Sequence, residues 1–139
     1  MVARLALDQP ARVAALVLVA TSFDPGLEHQ HPLQPWADRE PWRRLLPRPL
    51  RNANRELLTI APELRALARD LPQLRCPVVI LHGTADRESP YGNVDYLRRH
   101  LTGATVEVRT LAGAGHFLPW TQRKAVLAAI DRARALCSA

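Results

Sequence analysis

The chain has 139 residues, 47% of them hydrophobic, and a formal net charge of +6. That length supports one folded domain, and that hydrophobic content excludes an intrinsically disordered chain. The charge is uneven, because residues 39 to 55 contain six arginines and one acidic residue, Glu40. We interpret this segment as a solvent-exposed helix rather than a binding surface for nucleic acid or anionic lipid, so no nucleic-acid partner is predicted.

The cysteines and one apolar run near the N-terminus indicate the cellular compartment in which the protein is expected. Cys76 and Cys137 match no zinc or redox spacing and do not suggest a disulfide framework. The run VAALVLVATS, residues 13 to 22, follows no basic leader and is too short to span a bilayer. We therefore expect a reduced, cytoplasmic location.

Three segments have the composition of β-strands. Residues 14–20 (AALVLVA) and 77–81 (PVVIL) are continuously apolar, which is typical of central parallel strands covered on both faces. In residues 105–111 (TVEVRTL), valines alternate with charged residues. One face of this third segment is therefore exposed to solvent, and an edge strand is predicted.

Helical periodicity appears before, between and after these strands. Residues 2–7 resemble the end of a helix that stops at Asp-Gln-Pro, and residues 91–101 and 121–137 have apolar positions at helical spacing. From residue 14 onward the order is strand, long insertion, strand, helix, strand, helix. This order predicts an α/β fold with three parallel strands, flanking helices and the strand-end loops gathered at one edge of the sheet.

The insertion covers residues 22–73 and is rich in proline. Helical periodicity returns in residues 52–71, and a structureless loop of this length is unusual in a compact domain, so we predict a helical cap over the loop edge. Four apolar residues near its start could contact a membrane surface, but packing around a substrate pocket is the favoured interpretation. These residues are Trp36, Trp42, Leu45 and Leu46.

Two loops that follow predicted strands carry side chains suited to catalysis. Asp86 follows the second strand in ILHGTADRESP, and His116 follows the third in LAGAGHFLPW. A carboxylate that accepts the Nδ1 proton of an imidazole selects its tautomer and stabilises the cation formed when the ring acts as a base. Because both loops lie at one edge of a parallel sheet, Asp86 and His116 are predicted to form a catalytic pair.

The segments around these residues resemble those of the α/β-hydrolase fold family. LRCPVVILHGTADRESP and LAGAGHFLPW are similar to the family's acid and histidine segments, and RLALDQPARVAALVLVATS is similar to the helix and strand that follow its nucleophile. The resemblance covers residues 1 to about 24 and 70 to 137, and the insertion occupies the place of the family's cap.

The resemblance implies both an architecture and an activity. It implies a core of residues 1–21 and 74–139, the C-terminal half of the family's sheet, with a cap at residues 22–73. It also implies that Asp86 is the acid and His116 the base of a Ser-Asp-His triad, since the family's order is nucleophile, acid, histidine. The implied enzyme is an esterase-like serine hydrolase that acts through an acyl-enzyme on a small, apolar acyl-type substrate.

The chain departs from the family at the nucleophile. The family's serine lies in a G-x-S-x-G turn, and no such motif occurs among the 139 residues, where the serines are Ser22, Ser89 and Ser138. We therefore expect a C-terminal fragment that is inactive by itself, with Met1 an internal methionine of a longer protein or the start of a genuine fragment. We also expect self-association through an unpaired strand edge.

A second hypothesis is a non-catalytic α/β module that binds a partner or an apolar ligand through the cap. An in-frame G-x-S-x-G in the DNA just upstream of Met1 would support the hydrolase, whereas a stop codon or promoter would support the module. Neither hypothesis includes a cofactor or a metal. The HQH at residues 29–31 lacks a third ligand nearby, and we expect His82 to position backbone at most.

Overall fold

A computed structural model describes residues 2–28 and 34–138 and contains one three-stranded parallel sheet. The strands are β1 (Leu16–Val19), β2 (Val78–Gly83) and β3 (Val106–Leu111), with β2 between the other two. Helices cover both faces of the sheet. The predicted α/β architecture of three parallel strands with flanking helices is confirmed.

The three strands differ in how fully they are covered. All six residues of β2 are buried, as its continuous apolar sequence predicts for a central strand. The apolar sequence of β1 predicts the same, but β1 lies at an edge and, within residues 2–28 and 34–138, pairs with β2 alone. Leu16 and Leu18 are buried while Val17 and Val19 are only half-buried, so β1 is covered less completely than β2, and its unpaired edge is the one from which self-association was expected. The edge position of β3 is confirmed.

Helices account for most of the remaining described residues. They are α1 (Val2–Asp8), α2 (Gln34–Ala37), α3 (Trp42–Leu45), α4 (Arg48–Asp70), α5 (Gly92–His100), α6 (Leu118–Thr121) and α7 (Arg123–Cys137). No helix in the described part of the chain is both long enough and apolar enough to cross a membrane.

The sheet separates two apolar clusters. On one face, α1, α5 and the end of α4 pack against β1 and β2, with Leu71 and Leu97 among the buried residues. On the other face, α6 and α7 contribute Leu118, Ala129 and Ala133. Because the strands are parallel, their carboxyl ends and the loops that follow them lie at one edge of the sheet.

The insertion combines an exposed part with a part that joins the core. The predicted helix at residues 52–71 is present as α4, which begins earlier, at Arg48. Leu64 and Leu67 in its second half are buried, and Asp70 at its end accepts a hydrogen bond from Arg4 of α1 at 2.6 Å. The last turns of α4 are thus part of the helical layer on the sheet, and the division at residue 73 between cap and core stays a prediction.

Candidate active site

Asp86 and His116 meet at the carboxyl edge of the sheet. Asp86 lies in the loop after β2 and His116 in the loop after β3, and the His116 Nδ1 atom is 3.0 Å from Asp86 Oδ2 and 3.2 Å from Asp86 Oδ1. These distances are those of a hydrogen bond in which the ring N–H donates to the carboxylate. The predicted contact between the two residues is confirmed.

The Asp86 carboxylate is completely buried and fully oriented. Its side chain is 0% exposed, and its Oδ1 atom accepts hydrogen bonds from the backbone amides of Glu88 at 3.0 Å and Ser89 at 2.8 Å. A buried carboxylate is tolerated only when such donors replace its water shell. The two amides and the His116 ring replace that water shell, and together they fix the orientation of the carboxylate.

The His116 ring is presented to solvent on the side away from Asp86. Its side chain is 36% exposed, and the neighbouring Phe117 ring packs edge-to-face with a centroid distance of 5.5 Å. Because Nδ1 carries the proton that is donated to Asp86, the Nε2 atom of the neutral ring is the acceptor. The pair therefore presents an imidazole whose tautomer is selected by a buried carboxylate.

Glycine at position 83 allows the two loops to approach each other. A Cβ atom on Gly83 would lie 2.1 Å from the carbonyl oxygen of Ala114, a distance no side chain can occupy. That carbonyl accepts the amide of Ala85 at 3.0 Å, and the amide of Gly113, at φ 69°, donates to Thr84 Oγ1 at 2.9 Å. The glycines of HGTAD and AGAGH thus bring the acid loop and the histidine loop into backbone contact.

Asn93 connects a third loop to the site, and the sequence analysis missed it. The side chain is buried in the first turn of α5, where its Oδ1 atom accepts the amides of Phe23 at 2.7 Å and Asp24 at 2.8 Å. Its Nδ2 atom donates to the carbonyl of Pro90 at 3.0 Å. The loop after β1 is thereby tied to the end of the acid loop. The sequence does contain a signal for this contact, because Asn93 is a polar residue four positions before Leu97 and therefore lies on the apolar face of that helix.

The serines are engaged elsewhere. Ser22 Oγ donates to Ser89 Oγ at 3.1 Å, and Ser138 Oγ donates to the carbonyl of Arg134 at 3.4 Å. Among residues 2–28 and 34–138, no serine hydroxyl is hydrogen-bonded to His116. The structure therefore brings the predicted acid and base together without placing one of these three serines as their nucleophile.

Of the other histidines named in the sequence analysis, His82 does not join this pair. His82 is buried, and its Nδ1 atom lies 3.1 Å from the carbonyl oxygen of Gly83, while its Nε2 atom has no hydrogen-bond partner among the described residues. Residues 29–31, the HQH segment, lie outside the described residues. Within the described ranges, no group of three histidine, cysteine or acidic side chains is placed to hold a metal ion.

Comparisons with known proteins extend the likeness beyond the site. No sequence model of a known protein family matches the chain, and no curated protein does. Among solved structures, one from work on the metagenome-derived lipolytic enzymes LipS and LipT matches with a TM-score of 0.67 at 17% identity, covering 96% of this chain and 60% of that one. The monoacylglycerol lipase of Paleococcus ferrophilus matches with a TM-score of 0.66 at 16% identity, covering 99% and 63%.

A third structure, the α/β hydrolase domain-containing protein 10 from mouse, has a TM-score of 0.63 and 18% identity, with 97% of this chain and 58% of that one covered. The chain thus spans less than two thirds of the length of each of these three structures. At these identities the likeness is one of fold, and it agrees with the resemblance of the strand and loop segments. The chain has the fold of the α/β hydrolases.

Proposed function

We propose that Asp86 and His116 are the acid and the base of a Ser-Asp-His triad, and that the chain is the C-terminal part of an esterase-like hydrolase. The observation that carries this proposal is the 3.0 Å contact between His116 Nδ1 and a fully buried Asp86 carboxylate. Its location at the carboxyl edge of a parallel sheet supports the proposal, because ligands of open α/β sheets bind outside that edge.

The proposed reaction uses the free nitrogen of the imidazole. His116 Nε2 removes the hydroxyl proton of the nucleophile as its oxygen attacks the acyl carbon, and Asp86 stabilises the imidazolium that results. The imidazolium then gives its proton to the leaving alcohol, which departs and leaves an acyl-enzyme. Water repeats the sequence and releases the acid. The nucleophile must come from outside these 139 residues, since none of their serines lies in a G-x-S-x-G turn.

The substrate we propose is a small, apolar acyl ester. Two of the matched structures belong to a study of lipolytic enzymes and to a monoacylglycerol lipase, which supports this chemical class without identifying a member of it. We further propose that residues 22–73 form a cap beside the site, that the protein is cytoplasmic and that it has no nucleic-acid partner.

Extension of the reading frame tests the proposal. We expect the DNA upstream of Met1 to encode an in-frame G-x-S-x-G, and the extended protein to hydrolyse a short p-nitrophenyl ester. Replacement His116→Ala in the extended protein should lower kcat/KM by about a thousandfold or more. His100→Ala, at a histidine on α5 outside the pair, is the matched control and should leave the rate within about twofold.

The 139-residue chain by itself should hydrolyse the ester no faster than its own His116→Ala variant, because an imidazole without an oriented nucleophile and oxyanion hole retains little catalytic power. Labelling of the isolated chain by a serine-directed phosphonate would contradict this expectation. A stop codon directly upstream, together with an inactive chain, would favour the non-catalytic module that binds a partner or an apolar ligand through residues 22–73.

A further inference from the structure

Three large apolar side chains near the start of the insertion are exposed to solvent. Trp36 of α2 is 58% exposed, and Trp42 and Leu45 of α3 are 57% and 73% exposed. They line one side of an open groove of about 590 Å³, and we call these three residues the apolar patch. The expectation that this region packs around a substrate pocket stays a prediction, and in this chain the three side chains face the open groove.

The elements that carry the apolar patch pack together as one surface. Helix α2 contacts both α3 and the long helix α4, so the two tryptophans are held on neighbouring short helices. Exposed tryptophan and leucine side chains of this size are costly in water, because each leaves apolar area unburied. An apolar phase or an apolar partner would remove this area from water.

Arginines lie on the same segment of the chain as the apolar patch, and one of them contacts it. The Arg39 guanidinium lies 5.2 Å from the centre of the Trp36 ring, Arg44 beside Trp42 is exposed and pairs with Glu40 at 3.2 Å, and Arg48 is exposed at the start of α4. Residues 39 to 55 carry +5 of the chain's formal net charge of +6. The segment that carries Trp42 and Leu45 is therefore positive overall, and a complementary surface must be negative.

We infer that this surface docks on an anionic lipid bilayer, in place of the sequence-based interpretation of residues 39–55 as a solvent-exposed helix without a binding role. Tryptophan rings prefer the boundary between acyl chains and headgroups, and arginines attract the negative headgroups of that boundary. A nucleic acid would match the arginines and could stack on the tryptophans, but it would offer no apolar environment to Leu45. A bilayer surface accommodates all three kinds of side chain. The inference does not depend on the proposed triad, because no residue of the patch belongs to it.

Flotation of the full chain with vesicles tests this inference. In a density gradient, vesicles rise and carry bound protein with them, whereas aggregated protein stays at the bottom. We expect the chain to float with vesicles that contain phosphatidylglycerol, to remain behind with pure phosphatidylcholine, and to be released by high salt. Tryptophan emission should shift to the blue on binding.

Two pairs of variants separate the apolar from the electrostatic contribution. Trp36→Ala with Trp42→Ala should weaken binding by about tenfold or more, whereas Trp120→Ala, at a tryptophan in α6 that is 75% exposed, should leave it unchanged. Arg44→Gln with Arg48→Gln should also weaken binding by about tenfold, while Arg123→Gln with Arg134→Gln, at exposed arginines of α7, should have a smaller effect.

Three outcomes would overturn the inference. The first is no flotation with either kind of vesicle, and the second is equal loss of binding in Trp120→Ala and in the double tryptophan variant. The third is salt-sensitive binding to single-stranded RNA by a chain that does not float, which would assign the arginines to nucleic acid instead. Circular dichroism of every variant, compared with the parent chain, separates lost binding from lost folding.

Discussion

The Asp86 carboxylate divides its contacts between the backbone and the imidazole. Its Oδ1 atom accepts the amides of Glu88 and Ser89, and its Oδ2 atom is the nearer partner of His116 Nδ1. The backbone thus holds the carboxylate in the orientation that receives the ring proton. The consequence is a preference for one imidazole tautomer, with the proton on Nδ1 and the acceptor on Nε2.

Replacement Asp86→Asn should reverse this tautomer. The amide oxygen of asparagine is expected to keep the hydrogen bonds from the two backbone amides, which turns its NH2 group toward His116 Nδ1. That nitrogen must then accept, so the ring proton moves to Nε2. Long-range proton–nitrogen NMR spectra at alkaline pH, where imidazole is neutral, report the tautomer directly. Asp131→Asn, at an exposed aspartate of α7, is the control, and an unchanged tautomer in Asp86→Asn would contradict the assignment.

The end of strand β2 and the loop that carries His116 are so close at Gly83 that no methyl group would fit between them. The close approach of Gly83 to the Ala114 carbonyl joins the end of the central strand to the loop that carries His116. The same loop is joined to the residues after β2 by the hydrogen bond from the Ala85 amide. The position of His116 therefore depends on contacts between two segments of backbone as well as on its hydrogen bond to Asp86.

Replacement Gly83→Ala should destabilise the fold and displace the histidine loop. The new methyl group would overlap backbone rather than a flexible side chain, so we expect the free energy of unfolding in urea to fall by about 3 kcal/mol. Gly115→Ala is the control in the same loop, since a methyl group there meets no atom within 4 Å. That variant should stay within about 0.5 kcal/mol of the parent chain. Equal effects of the two substitutions would show that the approach at Gly83 is not as tight as described.

An ion-pair network joins the edge strand β3 to helix α7. Glu107 accepts a hydrogen bond from Arg132 of α7 at 2.6 Å and another from Arg109 at 3.2 Å. The hydrogen bond from Arg132 is the main reason that the pKa of Glu107 lies below its ordinary value of 4.5; partial burial opposes this shift, and Arg109 adds to it. A carboxyl group whose pKa is lowered by folding stabilises the folded state above its unfolded pKa, and this contribution is lost as the pH falls through the folded pKa.

Replacement Arg132→Gln should therefore reduce the free energy of unfolding near neutral pH. When the pH falls below 4.5, the variant should then lose less of its free energy of unfolding than the parent chain loses. Urea unfolding across that pH range measures both quantities. Arg134→Gln, at an exposed arginine on the same helix, serves as the control. A parallel pH profile for Arg132→Gln and the parent chain would mean that the pair does not lower the pKa of Glu107.

The sheet as a whole ends in two different edges. At β3, charged residues alternate with valines, and the Glu107 network covers part of the surface. At β1, the residues are Leu16, Val17, Leu18 and Val19, and the described residues provide no strand on its outer side. Apolar edges with unpaired backbone groups offer a surface for pairing with other chains. The unpaired β1 edge is thus the surface through which we expect self-association.

Replacement Val17→Pro tests this expectation. Leu16 and Ala20 donate their amides to β2, and donors alternate along a parallel strand, so the Val17 amide faces outward. Proline at this position removes an outward donor while the bonds to β2 remain, and we expect a larger monomer fraction in sedimentation velocity. Val17→Thr keeps the amide and the branched side chain, and it should associate like the parent chain.

Association of Val17→Pro equal to that of Val17→Thr would exclude the β1 edge as the contact surface. Thermal unfolding accompanies the measurement, so that a loss of structure is not mistaken for a loss of association. A parent chain that is a monodisperse monomer with one cooperative transition would indicate a complete small domain. The module that binds a partner or an apolar ligand would then replace the hydrolase fragment.

Local patterns in the sequence were sufficient for the strands and the longer helices, and for the contact between Asp86 and His116. Apolar runs and helical periodicity report burial within one segment, so the three strands, α1, α4, α5 and α7 could be predicted from them. Parallel connections place successive strand ends at one edge of the sheet. Asp86 and His116 could therefore be paired although 30 residues separate them.

Only the tertiary structure decided which segments cover one another. An apolar run has the same sequence at the centre of a sheet and at an unpaired edge, so the place of β1 depends on which strands are available to pair with it. The Asn93 connection to Phe23 spans 70 residues, and the Gly83 approach to Ala114 is a backbone contact that no side-chain pattern records. The exposure of Trp36 and Trp42 likewise depends on the absence of a covering element among the described residues. Each of these features is a relation between distant segments, and it exists only once the chain is folded.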